Sequence, residues 1–244
     1  MSVPDRTRTR LLDLCRMLHI LTSAMAIQLP RDLDARVQAA VRHFWDTRST
    51  QARKQRQSGS VDHGARSAVT GGAQMNGLID LFAELALWAG ARPKDTHRGT
   101  QAKLPGLFRP ATQWDLLVNR GNQVVCAYKF ACQTSPSSAE DLNRITEEAI
   151  ASAHDLWGAY RRSAINFDIQ PWLGHVLVVE DTQLRSTARS AEDLCRKLVL
   201  ERLYSDAAFV LTKRDGSYTE PAHGLTLEHL CRVLISRVSV LAAA

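Results

Sequence analysis

Residues Thr112 to Gln133 read TQWDLLVNRGNQVVCAYKFACQ, and the fold follows from how this stretch is read. Trp114, Leu116 and Val118 alternate with Asp115, Leu117 and Asn119, the period of two that a strand requires. Arg120-Gly121-Asn122 interrupts the run with residues that tolerate the positive φ of a tight turn. A second apolar run, Val124 to Tyr128, then leads into Lys129-Phe130-Ala131-Cys132, which predicts two adjacent strands joined by that turn. Asp115 and Lys129 stand as charged residues among apolar ones, and a buried charge is costly unless it is paired or bound to metal. Two readings are open: a structural Asp115–Lys129 ion pair, or what is left of an acidic metal site.

The rest of the chain sets bounds on both. At 244 residues it accommodates one domain with at most a small appendage. Hydrophobic residues make up 45 % and the net charge is +6, an ordinary globular composition whose basic balance permits a nucleic-acid partner. Cys15, Cys126, Cys132, Cys195 and Cys231 are scattered, odd in number and form no CxxC, which points to a reducing, cytoplasmic setting rather than a disulfide framework or zinc knuckle. No apolar run reaches the ~18 residues of a membrane span. The histidines, among them His63, His97, His175 and His223, show no HExxH spacing, and there is no G-x-S-x-G elbow. Thr70 to Gly77 (TGGAQMNG) lacks the G-K-[ST] ending of a phosphate-binding loop.

Residues 1–26 place Arg6, Arg8, Arg10 and Arg16 ahead of a short apolar run. Asp13 and Arg16 interrupt what would otherwise be a signal-peptide core, so the segment reads as an extension: an added amphipathic helix, or a start placed ahead of a true one at Met25. Residues 27–244 then form the domain. Leu33, Val37, Ala40, Val41 and Phe44 carry helical spacing and predict a helix over 33–48. Ser49 to Arg66 reads as a solvated, basic loop or helix end. Its Arg53, Lys54, Arg56 and Arg66 are candidates for phosphate contact. A helix is expected over 74–90, with Asp80 and Glu84 four residues apart on one face, and residues 91–110 read as loop. Thr146 looks like the start of a helix running to about 162, with Ile150, Ala153, Trp157 and Tyr160 as its buried stripe and His154 packed or on the surface. Residues 172–180 and 207–212 read as strands. Ser190 to Asp193 opens a helix running to Tyr204, and a terminal helix spans 225–241. Strands alternating with helices predict a mixed α/β sheet flanked by helices.

Several blocks, taken in order, resemble the XhoI-type restriction endonucleases of the PD-(D/E)XK nuclease superfamily. They are Ala65–Leu85, Leu104–Arg109 (LPGLFR), Trp114–Val118 (WDLLV), Phe130 and Gln133, Thr146–Ala149 (TEEA), Asp155-Leu156-Trp157, Ala159-Tyr160-Arg161, Pro171–Gly174 and Leu198–Tyr204. They extend over roughly 37–211. The resemblance implies a Mg²⁺-dependent, dimeric enzyme that hydrolyses double-stranded DNA at a palindrome, CTCGAG in the family's type case. It makes Asp115 the first metal-binding aspartate. It also makes Glu84, on the helix ahead of the first core strand, a candidate second ligand, against the alternative of a merely solvated carboxylate. It places Gln133 and Ser135 at the strand end where such nucleases approach DNA.

The departures matter equally. The family reads E-F-K-S-Q where this chain has Lys129-Phe130-Ala131-Cys132-Gln133, so the glutamate ligand is Lys129 and the lysine is Ala131. Residues 129 and 131 face the same side of a strand. A cation there opposes a metal ion by roughly 4 kcal/mol per unit charge at ~4 Å and an effective dielectric near 20. The expectation is a restriction-endonuclease fold that keeps DNA binding while cleavage is impaired. The competing expectation is a working enzyme in which Lys129 supplies the ammonium from a shifted position, with Glu84 or Glu148 as substitute ligand.

Overall fold

A computed structural model describes residues 27–58, 72–134, 139–162, 170–182 and 185–243. The extension 1–26 and the site candidates Arg66 and Ser135 lie outside them. Helix α1 spans Leu33–Ser58 and α2 Asn76–Trp88. Strands β1 (Thr96–Arg98), β2 (Lys103–Leu104), β3 (Thr112–Gln113), β4 (Leu116–Arg120) and β5 (Gln123–Gln133) follow. Then come α3 (Ala139–Arg161), β6 (Trp172–Glu180), α4 (Arg185–Leu200), β7 (Asp206–Thr212), β8 (Tyr218–Thr219) and α5 (Leu227–Ala243). The main sheet runs β1-β4-β5-β6-β7-β8, and β2 and β3 form a separate two-stranded ribbon. β5, β6 and β7 are parallel, joined by crossovers through α3 and α4, and the remaining pairs are antiparallel. The fold is therefore the mixed α/β sheet flanked by helices that the sequence predicts, consistent with a restriction-endonuclease-like domain.

Strand alternation divides the interior in two. Leu116, Val118, Cys126, Tyr128, Phe130, Val176, Val178 and Val210 face α1, α2 and α5. Leu117, Ala127, Leu173, Leu177, Val179 and Phe209 face α3 and α4. The β4–β5 hairpin turns at Gly121, whose φ of 57° is the left-handed conformation its position demanded. Lys129 and Ala131 belong to the face directed at α3, because Phe130 and Cys132 occupy the other.

Several boundaries differ from expectation. Trp114 does not share a face with Leu116 and Val118: it is fully buried on the α3 side, and the strand that enters the hairpin, β4, begins only at Leu116. The break falls at Asp115. Helix α1 runs ten residues past Arg48, because its Gln, Arg and Lys residues are good helix formers whatever their polarity. Helix α3 begins at Ala139, not Thr146. The Thr146 hydroxyl donates to the Leu142 carbonyl at 2.8 Å, the back-bonding of a mid-helix threonine rather than a cap. Of the expected stripe Ala153 and Trp157 are buried and Ile150 is exposed; Ile145, Ala149 and Leu156 complete it. Helix α4 starts at Arg185 and stops at Leu200. The segment read as loop carries the edge strand β1, which pairs with β4 through Thr96–Arg98.

Gly174 sits opposite Tyr128 in the β5–β6 register, and a Cβ there would lie 2.4 Å from the Tyr128 ring and 2.8 Å from the Trp172 ring. Gly174→Ala is expected to cost about 1–3 kcal/mol through overpacking. A thermal melt that leaves Tm unmoved would contradict this contact.

Candidate functional site

The break at Asp115 opens a cleft of about 830 Å³ between the start of α2 and the middle of α3, lined by Asn76, Asp80, Arg98, Gln113, Asp115, Lys129 and Glu148 among others. Asp115 is held at both its backbone and its side chain. Its N–H donates to the Tyr128 carbonyl at 3.0 Å, and its Oδ2 accepts the Phe130 N–H at 2.7 Å. Burial raises its pKa above the usual carboxylate value; the Lys129 charge and the Phe130 N–H oppose that shift, and Glu148 adds to it. Asp115 and Glu148 are therefore electrostatic neighbours.

Lys129 makes no ion-pair contact with Asp115. Its Nζ lies 3.0 Å from Glu148 Oε1, with the lysine side chain 12 % exposed and the glutamate 56 %. The structural ion pair considered between Asp115 and Lys129 is thus replaced by one between Lys129 and Glu148. Partial burial works to raise the Glu148 pKa, but the charge and hydrogen bond of Lys129 outweigh it and leave the carboxyl below its ordinary value. His175 lies directly beside Lys129 in the parallel register, fully buried, with neither ring nitrogen hydrogen-bonded. Burial first, then the Lys129 cation, pushes its pKa down to about 4, so the floor under Lys129 is a neutral imidazole near pH 7.

The other candidates fall apart spatially. Glu84 does not line the cleft; it is exposed and paired with Arg36 of α1. The α2 carboxylate that does line the cleft is Asp80, and it is paired with Arg98 of β1. Arg53 and Lys54 are exposed on the outer turns of α1, and Arg56 belongs to the same turns. Gln133 is buried at the end of β5, its side-chain oxygen without a hydrogen-bond partner.

This donor set fits Mg²⁺ poorly. One Asp115 oxygen is committed to a backbone N–H, Glu148 is neutralised by Lys129 and Asp80 by Arg98. Among the described residues no group of three or more His, Cys, Asp or Glu side chains is placed to hold a metal ion. Hard divalent ions require several free oxygen ligands.

A feature that sequence reading missed lies two turns along α3. Asp155 is 2 % exposed and accepts hydrogen bonds from the Phe108 N–H (2.6 Å), Arg109 Nε (3.1 Å) and the Thr112 hydroxyl (2.7 Å). It pins the loop between β2 and β3. Its signal was present in the sequence, as an acid next to the apolar stripe of α3.

The mixed α/β sheet flanked by helices is consistent with a restriction-endonuclease-like domain. The comparisons agree. The family model described as Restriction endonuclease XhoI matches residues 54–193. The type II restriction enzyme BstVI of Geobacillus stearothermophilus is 30 % identical over 217 residues, covering 77 % of this chain and 97 % of that enzyme. The type II restriction enzyme AbrI of Azospirillum brasilense is 36 % identical over 158 residues, 64 % and 70 % of the two chains. The type II restriction enzyme XhoI of Xanthomonas vasicola is 29 % identical over 234 residues, 84 % and 93 %. No solved structure matches. The chain belongs to the XhoI restriction endonuclease family.

Proposed function

We propose that this chain binds double-stranded DNA across the Asp115 cleft, as a cytoplasmic homodimer, and that its hydrolysis of the phosphodiester is impaired. The Lys129–Glu148 pair carries this reading. In PD-(D/E)XK nucleases two carboxylates hold Mg²⁺ and a lysine attends the attacking water. Here an ammonium stands where the second carboxylate belongs, and Ala131 leaves the lysine position empty. The surviving chemistry favours a phosphate that is held over one that is cut: the net charge is +6 and Arg53 and Lys54 are solvated.

One observation favours a second reading, an active Mg²⁺-dependent endonuclease with a displaced site. Asp115, Glu148 and Lys129 line a single cleft, which supplies two carboxylates and one ammonium from shifted positions. That reading requires Lys129 to release Glu148 when DNA arrives.

Supercoiled plasmid incubated with Mg²⁺ or Mn²⁺ separates the two. The expected result is background nicking that Asp115→Ala leaves unchanged. Cutting that disappears in Asp115→Ala would select the displaced site instead. DNA binding is tested by gel shift against a CTCGAG duplex and a scrambled one at two salt concentrations. Retention that weakens steeply with salt is expected, and failure to retain either duplex at low salt would remove the DNA reading.

A further inference from the structure

The loop between β2 and β3 is built rigidly around a side chain that it leaves in water. Phe108 is 74 % exposed. Its own N–H donates to Asp155 Oδ1, the preceding Leu107 N–H donates to the Asp155 carbonyl at 3.2 Å, and the following Arg109 and Thr112 bond Asp155 Oδ2. Leu107 fills a notch at Gly158, where a Cβ would come within 2.6 Å of it. A Cβ at Gly106 would collide with the Asp155 carboxyl at 2.0 Å. The phenyl ring lies parallel to the His154 ring, with centroids 6.2 Å apart and 7° between planes. An exposed aromatic held this firmly forfeits little conformational entropy on contact, as recognition side chains do.

Its place in the fold says what it contacts. Asp155 and Glu148 are seven residues apart on α3, hence on one side of the helix and about 10 Å apart along its axis. Gln113, beside the pinned Thr112, lines the cleft itself. Asp155, which holds the Phe108 N–H, is thus set off from Glu148 along α3 by roughly three base-pair steps at about 3.4 Å each. Arg109 beside Phe108 is 46 % exposed with its Nε on Asp155, and Glu147 and Arg161, seven residues either side of His154 on the same side of α3, are also exposed. Two exposed arginines beside an aromatic suit a polyanion.

We propose that Phe108 is a DNA-contacting wedge, packing its ring against the base pairs of a duplex lying in the Asp115 cleft, with Arg109 on the adjoining phosphate. The inference rests on the DNA-binding reading above and adds the contact by which this chain grips bases beyond the cleft.

The test is duplex affinity across a salt series for the full chain and for Phe108→Ala and Phe108→Trp, with 2-aminopurine placed in turn at each position along one strand. The ring is exposed, so all three proteins should melt alike. Phe108→Ala should weaken binding about tenfold or more with an unaltered salt slope, since an apolar contact releases no counterions. It should also abolish a 2-aminopurine signal confined to one or two positions, and Phe108→Trp should restore both. Equal affinity for Phe108→Ala, with the 2-aminopurine signal intact, overturns the wedge while the DNA-binding reading stands. Weakened binding accompanied by a fall from dimer to monomer in sedimentation assigns the ring to a second copy and also overturns it. If the unaltered chain retains no duplex at low salt, the DNA reading fails and the wedge fails with it.

Discussion

Lys129→Glu combined with Ala131→Lys should convert a protein at background into one that linearises plasmid, with a gain of about 10³-fold or more. The figure follows from the 10²–10³-fold cost of removing one preorganised hydrogen-bond donor from a hydrolytic site, here with two catalytic groups restored. Residues 129 and 131 face α3 from the same side of β5. The exchange therefore places a carboxylate beside Asp115 and returns an ammonium one pleat further on. It also releases Glu148 from its present partner. A second readout stands apart from cleavage. Mg²⁺ or Ca²⁺ should raise the Tm of the doubly altered chain and leave the unaltered one unmoved, because only the former places a second carboxylate beside Asp115 and frees Glu148 from its ammonium partner. If neither the melt nor the plasmid responds, the loss extends beyond these two positions into the scaffold. Each single change should gain far less, because groups that act together are not additive.

The second large effect concerns stability. Asp155→Ala is expected to lower unfolding free energy by about 3 kcal/mol or more, which for a chain of this size is roughly a 10 °C fall in Tm. Three donors lose their acceptor at once. Two of them, the Phe108 N–H and the Thr112 hydroxyl, stay in place at the loop and would be left short of partners, which costs more than the bonds themselves contributed. Burial alone would raise the Asp155 pKa, but the bonds from Thr112, Phe108 and Arg109 overcome it and hold the carboxyl near 2. The sign follows: a folded-state pKa below the unfolded value of about 3.8 means a contribution fully present above pH ~4 and lost as pH falls toward 2. Unfolding profiles of the unaltered chain and Asp155→Ala should therefore diverge at neutral pH and converge in acid. A constant gap from pH 7 to pH 2 would show that Asp155 acts through packing and not through its charge. Asp155→Asn should fall between the two, since one amide oxygen cannot replace a carboxylate that serves three donors.

The parts of this molecule legible in the sequence were those governed by short-range rules. Gly121 announced its turn, and the apolar run after it announced β5. The near-continuous apolar run from Trp172 to Val179 announced a strand covered on both faces. What escaped depended on distant partners. Thr146 followed by two glutamates carries every local mark of a helix start, yet the preceding turns pack Ile145 into the interior and extend the helix backward. Trp114 obeys the strand period and still lies on the opposite side, because the chain breaks at Asp115 to feed the β2–β3 ribbon: the Trp114 N–H bonds the Ala102 carbonyl at 2.7 Å rather than a neighbour in the main sheet. At the cleft, Asp115 and Lys129 could be named from their awkward company alone. The choice between Glu84 and Glu148 could not, since spacing along α2 does not reveal that Arg36 on another helix takes up Glu84.

The main sheet tapers at its margins: β1 offers three residues and β8 only two, while the eleven of β5 and nine of β6 lie inside. Truncated flanks of this kind leave little open backbone for a foreign strand to zip onto. Two copies of this molecule brought close along a DNA track would thus be poorly equipped to fuse their sheets, and any stable pairing between them would have to be made by helices and loops.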